Sequence, residues 1–154
     1  MNAPAEPVSC LVLPVGPHAW LMPSACVAEI LPGCELGAAP ADWIPDAGCC
    51  LGIVMWHGVA VPVVDVAAAA DAGRCIALLN RVVPTGAHAF VGVMLRGLPR
   101  SVTLDGAEIA QLLDPVGILE QARVVIGSET FVIPDPGPLF GHRVDAAHNE
   151  GDAD

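Results

Sequence analysis

The 154 residues carry six arginines, no lysine and seventeen acidic side chains, a formal net charge of −11. That balance repels phosphate, so nucleic-acid binding and adhesion to anionic membrane surfaces are excluded. Hydrophobic residues make up 54% and charged residues only 15%, yet the uncharged stretch 7–28 is broken by Pro14, Gly16, Pro17 and Pro23, which excludes a spanning helix there.

A secretory leader is not expected, because Glu6 stands where a positive n-region would be. Ser9-Cys10 comes too early for a lipoprotein signal, so the expected compartment is cytoplasmic. The six cysteines form no C-x-x-C pair, and no histidine pair stands beside them at ligand spacing. They read as free thiols that behave as small buried hydrophobes, with no metal site.

Fifteen prolines and sixteen glycines punctuate short Val/Ile/Leu runs, the pattern of an all-β fold. Residues 1–7 read as a flexible N-terminus. The first strand is expected over 10–15, then a turn at Gly16-Pro17 and a second strand over 18–22. ACVAEIL (25–31) fits one helical turn or a further strand. Residues 33–49 form a loop, and its Trp43 and Ile44 imply that it folds back onto the body.

Residues 51–66 read LGIVMWHGVAVPVVDV, apolar or glycine except at His57, Pro62 and Asp65. His57-Gly58 between two β-rich runs predicts a tight hairpin. Apolar residues at both strand parities predict a hairpin covered on both sides. Pro62 lacks an N–H, so its strand needs an edge or a bulge there. VAAAADAG (66–73) is the best helix signal, with Gly73 as its stop and Asp65 as its cap.

Strands follow at 74–82, 89–97 and 101–106, with a turn at 84–88. AEIAQLL (107–113) reads as a short helix, and a last hairpin turns about Gly127-Ser128. The tail 144–154 is acidic, nearly devoid of large apolar residues, and expected to be disordered.

Catalytic motifs are absent: no paired acids at a telling distance, no G-x-S-x-G, no H-E-x-x-H and no phosphate-binding loop. A binding module fits these residues better than an enzyme does.

The order of features resembles the CheW-like domains, coupling proteins of bacterial chemosensory arrays. The family's G-x-x-x-x-R-G-x-x-x-P-x-x-D stands here as Gly52-IVMW-His57-Gly58-VAV-Pro62-VV-Asp65, and its V-x-E-I as Val27-Ala28-Glu29-Ile30. CIALLN, AFVGVML and the last hairpin complete the order, covering residues 8 to about 140. The resemblance implies two SH3-like five-stranded β-barrels sharing a hydrophobic core, with short helical segments, interleaved in one domain over 8–143. It implies a non-enzymatic, cofactor-free adaptor between a chemoreceptor's cytoplasmic tip and the regulatory domain of a CheA-type histidine kinase. The receptor's helical hairpin would lie in an apolar groove between the barrels, and the kinase would use barrel edges.

Carried over by position, Val27, Glu29 and Ile30 would line or flank the groove, with Val91 a further groove residue. His57 replaces the family's arginine near the receptor-binding surface, and Gly52, Gly58, Pro62 and Asp65 would be structural. The Trp56-His57-Gly58 run looks more like the couplers of pilus-associated systems (the PilI/ChpC type), which serve twitching motility. Two other classes stay open. One is a small-molecule-binding or enzymatic β-barrel using Cys75, His88 or His57. The other is a structural partner of some other β-protein through an exposed strand edge.

Overall fold

The computed structural model describes residues 6–33, 35–67, 75–81 and 88–144. Thirteen strands appear: β1 (Val8–Leu13), β2 (Trp20–Pro23), β3 (Val27–Pro32), β4 (Trp43–Ile44), β5 (Cys49–Trp56), β6 (Val59–Asp65), β7 (Cys75–Asn80), β8 (Phe90–Leu95), β9 (Arg100–Leu104), β10 (Ile109–Leu113), β11 (Glu120–Ile126), β12 (Glu129–Pro134) and β13 (His142–Arg143). Among the described residues helix is confined to 3₁₀ turns at Ser24–Cys26, Gly106–Glu108 and Gly137–Phe140. Among the described residues no helix is long and apolar enough to cross a membrane.

Two main sheets carry the molecule. One has six strands in the order β10-β11-β12-β2-β1-β9, the other five in the order β3-β7-β8-β6-β5. The chain begins in the first, builds the second from β3 to β8, and returns to the first. Pairing is antiparallel except for short parallel contacts of β12 with β2 and β6 with β8.

Strand alternation sorts the apolar residues into three cores. On β1, Cys10 and Val12 face a cluster inside the first sheet with Leu21, Val124 and Phe131, while Leu13 faces the other way. On β7, Ile76 and Leu78 join Val61, Val63 and Met94 inside the second sheet, while Cys75, Ala77 and Leu79 face the opposite side. The opposite-facing residues meet in a central core between the sheets, completed by Trp43, Leu139 and Phe140. Val102 and Leu104 of β9 share a cluster with Ile109 of β10, and Leu31 of β3 shares one with Val54 of β5. Each sheet therefore curls until its end strands pack on one core. No hydrogen-bonded ladder joins those end strands among the described residues.

Several expectations change. The first sheet has six strands, not five. Residues 107–113 do not form a helix. A capping box between Asp105 and Glu108 starts one 3₁₀ turn, and the chain then runs as β10 against β11. A single helical turn is marginal alone, and β11 offers a full ladder instead. The segment 25–31 does both things proposed for it, a 3₁₀ turn and then β3. The 33–49 loop does fold back: Trp43 is buried, and its Nε1–H donates to the Phe140 carbonyl at 2.8 Å. Residues 68–73 of the expected helix, 84–87 of the expected turn, and most of the flexible N-terminus and acidic tail lie outside the described residues.

The β5–β6 hairpin is interior only on β6, where Val61–Asp65 are buried at both parities. β5 is an end strand of its sheet, with Met55 62% exposed and Leu51 and Val59 also exposed. Apolar residues at both parities mark a strand with one face on the core and the other left for something else. Pro62 sits where its missing N–H is tolerated, since β6 pairs with β8 only at Val63 and Val64.

Candidate protein-binding site

The rim where β3 and β5 meet is built by two local departures from regular strand. β3 has a bulge between Val27 and Glu29, so that Glu29, not Ala28, stands opposite Leu78. Val27 and Ile30 pack on the central core while Ala28 and Leu31 pack inside the second sheet. Without the extra residue Glu29 would share Val27's face. With it, the carboxylate joins the face of Leu78, which also holds Trp56.

Trp56 is the last residue of β5, and its Nε1–H donates to Glu29 Oε2 at 2.5 Å. This side-chain bond ties together the two end strands of the sheet. The following turn has φ 49 at His57 and 78 at Gly58, both positive as the tight I′ hairpin turn demands. The His57 ring meets the Trp56 ring edge-on at 4.7 Å, and Phe90, at the start of β8, meets it from elsewhere at 4.9 Å.

The structure thus brings Glu29 and His57 together through Trp56. It does not bring Val91 with them: Val91 is 0% exposed, in the central core. The expectation that Val91 lines a groove is corrected, because on β8 it is Phe90, at the opposite parity, that faces the rim. Val27 and Ile30 are half-buried against the central core.

Gly52 sits at a second bulge, on β5, with φ 149, and a Cβ there would lie 2.3 Å from the Gly37 carbonyl oxygen. Asp65 is buried; its Oδ1 accepts the Ala67 N–H at 3.1 Å and its Oδ2 pairs with Arg96. The N–H contact is the one expected of a cap. The arginine partner, thirty-one residues away, had no signal in the spacing.

Two clefts lie near the junction of the sheets. One, of about 300 Å³, is lined by apolar residues including Val15, Trp20, Val66 and Val132, and by His18 and the Glu120–Arg123 pair. The other, of about 480 Å³, adjoins Val27 through Cys26 and includes Met22 and Ile133. None of the five expected contact residues lines either cleft.

The cysteine and histidine chemistry held open by the sequence is dispersed. Cys75 stands opposite Leu95, whereas His88 precedes Phe90, which pairs with Asn80 at the other end of the same ladder. Strand rise puts about 17 Å between them. Burial pushes the Cys10, Cys50 and Cys75 thiols up, away from thiolate. Burial also lowers His88, whose ring packs on Trp43. Cys49 is exposed, against the core reading of the cysteines. No group of three or more metal-ligating side chains forms among the described residues.

Comparison with protein-family models gives no match, and comparison with curated proteins gives none. Among solved structures the chain is similar to the scaffolding protein TtCheW from Thermoanaerobacter tengcongensis, with a TM-score of 0.63 at 13% identity. The match covers 84% of this chain and 89% of that one. The fold is CheW-like.

The outward apolar residues were missed as a class. Among the described residues, six of the nine fall on or beside two of the end strands, β5 and β10; the other three are Val8, Ile44 and Leu98. Leu51 and Met55 lie on β5 with Val59 beside them, and Leu112 lies on β10 with Val116 and Ile118 beyond it. The signal was available in LGIVMW, where alternate residues past the Gly52 bulge must face outward once β5 is an end strand.

Proposed function

We propose that this chain is a non-enzymatic adaptor that couples chemoreceptors to a CheA-type histidine kinase in a bacterial chemosensory system, working in the cytoplasm. The observation that carries the reading is the pair of exposed apolar edges, one on each sheet, in a chain with a CheW-like fold. Large exposed apolar side chains grouped at sheet edges mark faces that pack on another protein. The solved protein it matches is described as a scaffolding protein.

In this reading each curled sheet is an SH3-like barrel, and the kinase regulatory domain packs against the edges at β5 and β10. The receptor tip, a helical hairpin, lies along the junction of the sheets, near the cleft that adjoins Val27, with Glu29 and His57 at the rim. The Trp56-His57-Gly58 run favours a pilus-associated system over swimming chemotaxis.

The test is capture of the host's kinase regulatory domains and receptor cytoplasmic fragments by the purified chain, with Met55→Glu and Leu112→Glu compared separately. Each substitution removes an apolar contact of about 2 kcal/mol, or roughly thirty-fold in Kd, from one edge only. Both variants should weaken capture of the kinase domain and spare capture of the receptor fragments. Wild-type binding by both variants, or no binding by the folded wild-type chain, would count against the adaptor.

A further inference from the structure

Trp20 and Trp43 are buried, whereas Trp56 is half-exposed at the rim and holds a carboxylate in place. A strand-end tryptophan needs no acid to satisfy its N–H, because water does so at an exposed site. Here the acid is delivered by a bulge, and the indole meets the Phe90 and His57 rings edge-on. Three ring systems and one oriented carboxylate make a small rigid surface. Glu29 Oε2 is engaged by the indole, and Oε1 has no hydrogen-bond partner among the described residues.

The chemistry of what fits there is narrow. A chain with a formal net charge of −11 repels an anion. A single carboxylate with no further ligands around it does not make a metal site. A planar cation fits both parts: it donates to the free carboxylate oxygen and lays its face against an aromatic flank. An ammonium is more strongly hydrated and has no plane to stack, so it gains less.

We propose that Glu29 and Trp56 form a receiving site for an arginine side chain of a partner protein. The proposal rests on the adaptor reading only in taking the partner to be a protein. The indole N–H holds the carboxylate in one orientation before the partner arrives, which lowers the ordering cost of the contact. The bond between β3 and β5 also places the site on two strands at once, so the arginine is read by the rim and not by one mobile side chain.

The experiment follows the indole N–H resonances of the full ¹⁵N-labelled chain, with Trp56 assigned by Trp56→Phe. N-ethylguanidinium chloride, ethylammonium chloride and sodium chloride are titrated at matched ionic strength. The expected result is a saturable shift of Trp56 with the guanidinium, a much smaller one with the ammonium, and none at Trp20 or Trp43. Glu29→Gln keeps an acceptor for the indole but loses the charge; it should abolish saturation while the two buried indoles keep their positions. A Trp56 response that only follows sodium chloride, equals that to the ammonium, or survives Glu29→Gln overturns the site.

Partner capture separates the two ideas. Glu29→Gln should weaken binding of at least one partner about tenfold. If it binds every partner like wild type, the arginine site is overturned and the adaptor stands. If the wild-type chain captures no partner yet Trp56 titrates as expected, the adaptor fails and the guanidinium site stands.

Discussion

At the scale of single residues, two largely buried ion pairs stabilise this protein, one between distant parts of the chain and one within a single strand. Asp65 and Arg96 are both largely buried, with side chains 9% and 17% exposed. Removing the carboxylate charge takes from the largely buried Arg96 a close ion-pair partner. Asp65→Asn should therefore lower stability by about 3 kcal/mol in urea titration; a loss below about 1 kcal/mol would mean that the pair contributes no more than an exposed one. Glu120 is a second case. The Arg123 guanidinium bonded to it, helped by the Val116 N–H, holds its carboxyl below the ordinary value of 4.5. A depressed folded value means that the contribution is present above that ordinary value and fades as pH falls through the folded one. Glu120→Gln should thus be less stable than wild type at neutral pH, and the two should converge in acid. A gap that persists unchanged in acid would assign the effect to packing.

At the scale of elements, turns and bulges decide where the side chains go. His57 is the only non-glycine residue with positive φ among those described. Asparagine is favoured at that place in a I′ turn, and a β-branched residue is not. His57→Asn should stay within about 0.5 kcal/mol of wild type, while His57→Val should lose about 1–2 kcal/mol. Equal stabilities would show that the turn relaxes to another type. This hairpin was legible in His-Gly between apolar runs, as was the placement of Pro62. The covering of the hairpin was not, because an end strand and a central strand have the same composition when the free edge is itself apolar. The 107–113 segment failed for a related reason: a capping box and a helix-like period fit a helix locally, and only the neighbouring β11 turned the segment into a strand.

At the scale of the whole molecule, the central core makes the two sheets one unit. It draws on β1, β2, β6, β7, β8 and β12, and is filled by Leu139 and Phe140 from the C-terminal 3₁₀ turn. β13 pairs with β4 and holds Trp43 under it. Phe140 is fully buried, so Phe140→Ala should lower stability by about 3–5 kcal/mol. Unfolding should remain a single transition, with tryptophan fluorescence and far-UV circular dichroism coincident. Separate transitions would show that each sheet is stable on its own.

The sequence by itself determined the all-β character, the absence of a phosphate-binding charge pattern, most strand positions and the resemblance to a coupling domain. These are local or summed properties: alternation, breakers, charge and motif order are read within a few residues of each other. Tertiary structure alone decided that Glu29 meets Trp56, that Asp65 meets Arg96, that Val91 is enclosed, and that β5 and β10 are free edges. Each of these depends on which strands are neighbours after the chain leaves the first sheet and returns to it. Strand order follows from long-range packing, and nothing within a strand's own residues encodes it.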